Sequence, residues 1–213
     1  MIAEAAGPAA GRSASSFAFF ELDSMIDSER FGGRRAYMNH LAARGLLLLG
    51  AYGGLLNVEW SVIERLVFVC KGNICRSPYA EARARSLGLD AVSFGLEAAD
   101  GAPADGSALR NAQQRQINLA PHRSTRIDAA KLLPKDLILF FEPQQVAQFR
   151  ARHSGAAAVT LAGLWAQPTR PYLCDPYGRS DACFQECFAV IDASVTALAA
   201  RLAPHGRSGT AVA

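Results

Sequence analysis

Several features that would assign the chain to a common class are missing or scarce. Residues 1–16, MIAEAAGPAAGRSASS, lack the basic segment and apolar core of a secretory signal. The longest apolar run, residues 46–56, falls short of the ~20 residues that a membrane-spanning helix needs. Cysteine is limited to five positions, Cys70, Cys75, Cys174, Cys183 and Cys187. An odd thiol count without a signal segment argues against a secreted disulfide framework. Cys183 and Cys187 sit one helical turn apart but lack the two further clustered ligands of a structural zinc site, so Cys187 reads as core or helix surface and no metal is expected. The formal net charge is only +3, and no arginine-rich stripe is interleaved with aromatics, so nucleic acid is not an expected partner. The expectation is a cytoplasmic protein with no transmembrane segment.

What remains is an ordinary globular composition: 213 residues, 50% hydrophobic and 19% charged, enough for one domain and an appendage. Residues 1–16 and 206–213 read as disordered. Residues 17–64 read as an N-terminal extension of no assigned role, partly helical through FAFFELDSMI and AYMNHLAARGLLLLGAYGGLL, the second weakened by Gly45, Gly50, Gly53 and Gly54. From residue 65 to 205 the pattern becomes regular. LVFV, AVSFG, DLILFF and AAVTL are short apolar runs typical of buried strands. They alternate with helical stretches: SPYAEARARSLG, with Ser77 as its expected N-cap and Pro78 at its first helical position; SALRNAQQRQI; EPQQVAQFRARH; and a last helix from about Ser180. In that last helix Phe184, Phe188, Ile191, Val195, Leu198 and Leu202 recur at steps of four and three, forming one apolar stripe. The expected fold is α/β: a four-stranded parallel sheet with helices on both faces, Rossmann-like and three-layered.

In such sheets ligands gather at the carboxyl ends of strands. Cys70 lies there, at the start of CKGNICRSP. Gly72 and Asn73 tolerate unusual backbone angles, so the loop can fold its N–H groups inward as an anion nest ahead of a helix N-terminus. Arg76 adds a planar fork of donors suited to phosphate. A cysteine at the centre of that positive ring is favoured as thiolate, the form that attacks phosphorus. A thiolate cannot protonate a departing oxygen, so a general acid is required. Asp175, in the turn YLCDPYGRSD after the fourth strand, is the best placed. Tyr172, Tyr177 and Trp165 are aromatic neighbours able to line a pocket. His40, His153 and His205 read as solvent-facing, and Cys174 as a packing residue.

The residues VCKGNICRSP and the downstream DPYG resemble the low-molecular-weight protein-tyrosine phosphatases. SFGLEAADGAPADGSA, INLAPHRSTR, DLILFFEP and LAGLW resemble that family's connecting segments in the same order, over residues 65–203. The details are most similar to a bacterial branch that works beside tyrosine kinases in exopolysaccharide production. The resemblance implies the phosphotyrosine phosphatase I-like fold and hydrolysis of phosphotyrosine in proteins through a phosphocysteine, with a bacterial tyrosine kinase as a candidate partner and no cofactor. It implies Cys70 as nucleophile, Arg76 as oxyanion clamp and Asp175 as acid and then base. Lys71, Gly72, Asn73, Ile74 and Cys75 would contribute to the cradle, Ser77 would donate to the thiolate, and Tyr177 would meet the substrate ring. Ser93 and His122 would support the loop through Asn73. Cys75 would be able to form a protective disulfide with Cys70. HRSTR departs from the family's usual HRARQ, residues 96–100 carry no aromatic, and residues 1–64 have no counterpart in the minimal domain.

Two other readings use the same nest. Arsenate reduction needs resolving cysteines after the third strand, and residues 140–155 contain none. A non-catalytic phosphotyrosine adaptor would dispense with Cys70 or Asp175, and both are present. Neither the oligomeric state nor the physiological substrate is legible.

Overall fold

The computed structural model describes residues 29–153, 155 and 157–203. The expectations for residues 1–16, for a helix in FAFFELDSMI, for His205 and for residues 206–213 lie outside the described residues. Four strands, β1 (Arg65–Cys70), β2 (Ala91–Gly95), β3 (Asp136–Phe140) and β4 (Ala158–Leu161), form one sheet in the order β2-β1-β3-β4. Every pairing is parallel. The α/β three-layer architecture is the one the alternating pattern implies. Leu66, Val67, Phe68 and Val69 of β1 and Leu137, Ile138, Leu139 and Phe140 of β3 are fully buried, because central strands of such a sheet are covered on both faces.

Helix α3 (Arg76–Ser86) begins six residues after β1 ends, packs on β1 and β2, and lies against the last helix, α6 (Asp181–Leu202). Two contacts fix that crossing. Tyr79 stacks on Phe188 with ring centroids 3.7 Å apart, and its hydroxyl donates to Asp192 Oδ1 at 2.8 Å. The stripe expected on α6 is buried at Phe184, Phe188, Ile191, Val195 and Leu198. Each such side chain contributes about 1.5–3 kcal/mol by leaving water. The 22-residue α6 is long and apolar enough to cross a bilayer by length and composition alone, but 50% of its apolar window is buried within the protein. Helix α4 (Gly106–Gln113) is capped by Asp105, which accepts from Ser107 and Ala108 N–H; it ends before Gln116, whose φ of 60° is left-handed. Helix α5 (Pro143–Arg152) opens with a capping box between Glu142 and Gln145.

The extension is continuous with this core. Helix α1 (Arg34–Leu48) buries Ala36, His40 and Ala43, and a short α2 (Gly53–Leu56) follows. Tyr52, Leu55, Val58 and Ile63 join the main hydrophobic cluster. Thr160 of β4 donates its hydroxyl to the Leu55 carbonyl at 2.6 Å.

Several local expectations are corrected. Cys75, not Ser77, is the N-cap of α3, so Ser77 is the second helical residue and Pro78 the third rather than the first; the Ser77 hydroxyl is occupied by the preceding loop instead. Trp165 is buried, donates to Thr160 Oγ1 at 3.0 Å and packs edge-on to Trp60, so it lines no open pocket. His40 is only 4% exposed. It rests 4.9 Å from the Phe31 ring, and burial, then Arg170 and Arg44, push its pKa below the ordinary value. His153 is partly buried, stacking on Phe149 and facing Asp128 at 3.3 Å.

Candidate active site

β1 ends at Cys70, and the chain turns at once into the loop before α3. Asn73 makes the turn, with φ of 55° in the left-handed region that Asn tolerates better than most residues. The loop also passes close to β2: a Cβ on Gly95 would meet the Lys71 carbonyl oxygen at 2.8 Å and Asn73 N at 2.9 Å. Only a residue without a side chain fits there.

Asn73 uses nearly all of its polar atoms to hold this shape. Its N–H donates to Cys70 Sγ at 3.3 Å. Its side-chain amide donates to Ser77 Oγ and Ser93 Oγ, both at 2.9 Å. Its Oδ1 accepts from Thr125 N–H at 2.8 Å, and its carbonyl meets His122 Nε2 at 2.7 Å. Ser93 and His122 therefore both support the loop through Asn73. Thr125 was missed in the sequence because its contribution is a backbone N–H, independent of residue type.

Cys70 is 3% exposed, at the floor of the loop. Ser77 Oγ lies 3.0 Å from its sulfur and 3.2 Å from the Phe94 carbonyl. A hydroxyl has one proton to donate, so a negatively charged sulfur competes with that carbonyl for it. No side chain caps α3, which leaves the N–H groups of its first turn facing the loop. Burial, and then Asp105, push the Cys75 thiol above its ordinary value.

The Arg76 side chain is buried beneath this loop. Its Nη1 donates to Glu142 Oε1 at 2.6 Å and to the Leu173 carbonyl at 2.9 Å. Nη2 lies 2.9 Å from Asp175 Oδ2. Neither Nη2 nor Nε has an aligned hydrogen-bond partner among the described residues. Burial opposes the guanidinium charge, but Asp175 and Glu142 outweigh it and hold the pKa above its ordinary value. Nη1 is thus fixed by hydrogen bonds to protein, while Nη2 is held only by its ion pair with Asp175. Glu142 was not singled out in the sequence. The usable signal was its position immediately after the third strand, on the carboxyl edge where ligands gather.

Asp175 reaches this edge from the loop between β4 and α6, and its side chain is 37% exposed. Its Oδ1 accepts from Tyr177 N–H at 3.3 Å. Cys70, Lys71, Gly72, Ile74, Cys75, Asp175 and Tyr177 line one cleft of about 240 Å³. Tyr177 is exposed on its rim. Lys71 points outward and pairs with Glu97 at 3.6 Å. Tyr172 lies outside this cleft, accepting from Asn39 at 3.4 Å. Among the described residues no three His, Cys, Asp or Glu side chains are grouped to hold a metal ion.

The sequence profile of the family described as "Low molecular weight phosphotyrosine protein phosphatase" matches residues 65–208. The chain belongs to that family. The probable low molecular weight protein-tyrosine-phosphatase EpsP of Ralstonia solanacearum is 33% identical over 148 residues, covering 68% of this chain and 100% of that relative. The tyrosine phosphatase Wzb of Escherichia coli K30, solved in complex with sulphate, superimposes with a TM-score of 0.58 at 28% identity, over 66% of this chain and 99% of that one. Vibrio vulnificus Wzb, solved with benzylphosphonate, gives the same TM-score, identity and coverage. In this low molecular weight tyrosine phosphatase, residues 1–64 precede the matched domain.

Proposed function

We propose that residues 65–205 form a catalytic domain that hydrolyses phosphotyrosine in proteins through a phosphocysteine. One observation carries the reading: Cys70 Sγ accepts from the Asn73 N–H at the floor of the loop and lines one cleft with Asp175, while the Arg76 guanidinium stands 2.9 Å from that carboxylate. Nucleophile and oxyanion donors share one focus, as displacement at phosphorus requires.

The phosphate of the substrate sits in the loop, its equatorial oxygens held by the amides from Lys71 to Arg76 and by the Arg76 guanidinium. The Cys70 sulfur donates an electron pair to phosphorus, and the bond from phosphorus to the tyrosyl oxygen breaks. Asp175 transfers its proton to that oxygen, so tyrosine departs neutral. In the second step Asp175 takes a proton from water, the water oxygen bonds phosphorus, and the sulfur leaves with its electron pair while Ser77 donates to it. Inorganic phosphate is released. Tyr177, on the rim, flanks the phenyl ring. No metal or organic cofactor enters the scheme.

The partner is a phosphotyrosine protein. The exopolysaccharide-associated resemblance points to a bacterial tyrosine kinase, which would place the enzyme in the cytoplasm. The test is phosphate release by the full chain from para-nitrophenyl phosphate and from a phosphotyrosine peptide. Hydrolysis of both, lost in Cys70→Ser, supports the reading. Failure to hydrolyse either contradicts it.

A further inference from the structure

A second groove, about 530 Å³, adjoins the catalytic cleft and shares Lys71, Glu97 and Asp175 with it. One wall comes from the extension, through Arg35, Ala36 and Asn39 of α1; the opposite wall includes Gln148 of α5, and Arg179 stands at the end of the Asp175 loop. Arg35 and Asn39 precede the residues matched to the family, so this wall is a property of the present chain.

The wall is anchored. Arg30 and Arg170 both pair with Glu186 of α6, at 3.1 and 2.5 Å. Phe31 lies 4.9 Å beneath the Arg170 guanidinium, and Asn39 is tied to Tyr172. A Cβ on Gly33 would stand 3.9 Å from Arg179 Nη1, so that guanidinium rests against the start of α1.

The charges in the groove are unevenly matched. Its three acids have partners: Glu142 and Asp175 face Arg76, and Glu97 faces Lys71. Arg35 and Arg179 are exposed and have no acidic partner among the described residues. Two uncompensated guanidiniums beside the cleft form an electrostatic receptor for a carboxylate.

We propose that Arg35 and Arg179 form a specificity subsite for an acidic side chain, Asp or Glu, near the phosphotyrosine in the substrate protein. The inference rests on the phosphatase reading and adds a substrate class to it. The extension then acts as part of the substrate-binding surface.

The test measures kcat/KM of the full chain on three phosphotyrosine peptides that differ only in flanking residues: Glu, Gln or Lys. The wild-type chain favours Glu over Gln by about fivefold, carried in KM, as expected for a pair of partly exposed ion pairs. The preference shrinks at high salt. In the double variant Arg35→Ala, Arg179→Ala the Glu-to-Gln ratio falls to about one. Each ratio is taken within one protein preparation, so loss of folded material cancels. If the double variant has no turnover, Arg35→Gln alone is read the same way and lowers the ratio. Equal wild-type rates on the three peptides, or an unchanged ratio in the variants, overturn the subsite. Absence of phosphate release from every peptide by the wild-type chain refutes the phosphatase reading instead.

Discussion

Arg76 Nη2 lies 2.9 Å from Asp175 Oδ2. The oxyanion clamp and the proposed proton donor thus touch. An incoming phosphate brings its own negative charge to the same nitrogen and must displace the carboxylate. Asp175→Asn removes the competitor while keeping the shape. Inorganic phosphate should then inhibit more tightly, by about fivefold, corresponding to about 1 kcal/mol for a pair of a buried guanidinium and a carboxylate 37% exposed. Competitive inhibition constants in the two proteins decide this, and weaker inhibition in Asp175→Asn contradicts it.

The same substitution has an opposite effect on turnover. Loss of a positioned general acid lowers kcat/KM, which reports the step that releases the phenol, by about 10²–10⁴. The loss should be largest for phenyl phosphate and smaller for para-nitrophenyl phosphate, whose oxygen departs without protonation. Equal losses for both leaving groups would reassign Asp175 to a positioning role.

Asn73→Ala tests the loop. The substitution deletes three side-chain hydrogen bonds, to Ser77, Ser93 and Thr125. It also puts an alanine at φ of 55°. Roughly 3 kcal/mol of stability should be lost, read as a shift in urea midpoint at constant slope. Asn73→Gly relieves only the backbone strain and should recover a minor part of that loss. Full recovery by glycine would show that the hydrogen bonds contribute little.

His40 adds a pH dependence. Its folded-state pKa lies below the ordinary 6.5, chiefly through burial. As pH falls below 6.5 the unfolded chain takes up a proton that the folded chain refuses, so stability declines with acidification until the folded-state histidine also protonates. Above 6.5 the effect vanishes. Melting temperatures of wild type and His40→Gln, compared near pH 5 and pH 7.5, should show the smaller acid-induced drop in the variant. An equal drop in both removes His40 as a contributor.

The strand, loop and helix around Cys70 were legible because their signals are local: an apolar run, glycine and asparagine, then a helical pattern. The stripe on α6 was legible for the same reason. Glu142 and the Leu173 carbonyl were not, because they meet Arg76 from 66 and 97 positions away, brought there by the order of strands in the sheet. Ser77 was misread as a cap because Ser-Pro is a general helix-start signal, whereas here the hydroxyl is taken by Cys70, Asn73 and Phe94. His40 was misread because a single histidine between Asn39 and Leu41 gives no periodic cue to the Phe31 ring it rests against. The packing of residues 52–63 into the core was hidden by glycines that obscured any helical period.

The most direct measurement is mass spectrometry of enzyme quenched in acid during turnover of para-nitrophenyl phosphate. The account predicts a phosphoryl adduct on the peptide containing Cys70, accumulating further in Asp175→Ala, where the water-activating base is missing, and absent in Cys70→Ser. Turnover without any adduct, with full activity in Cys70→Ser, contradicts it.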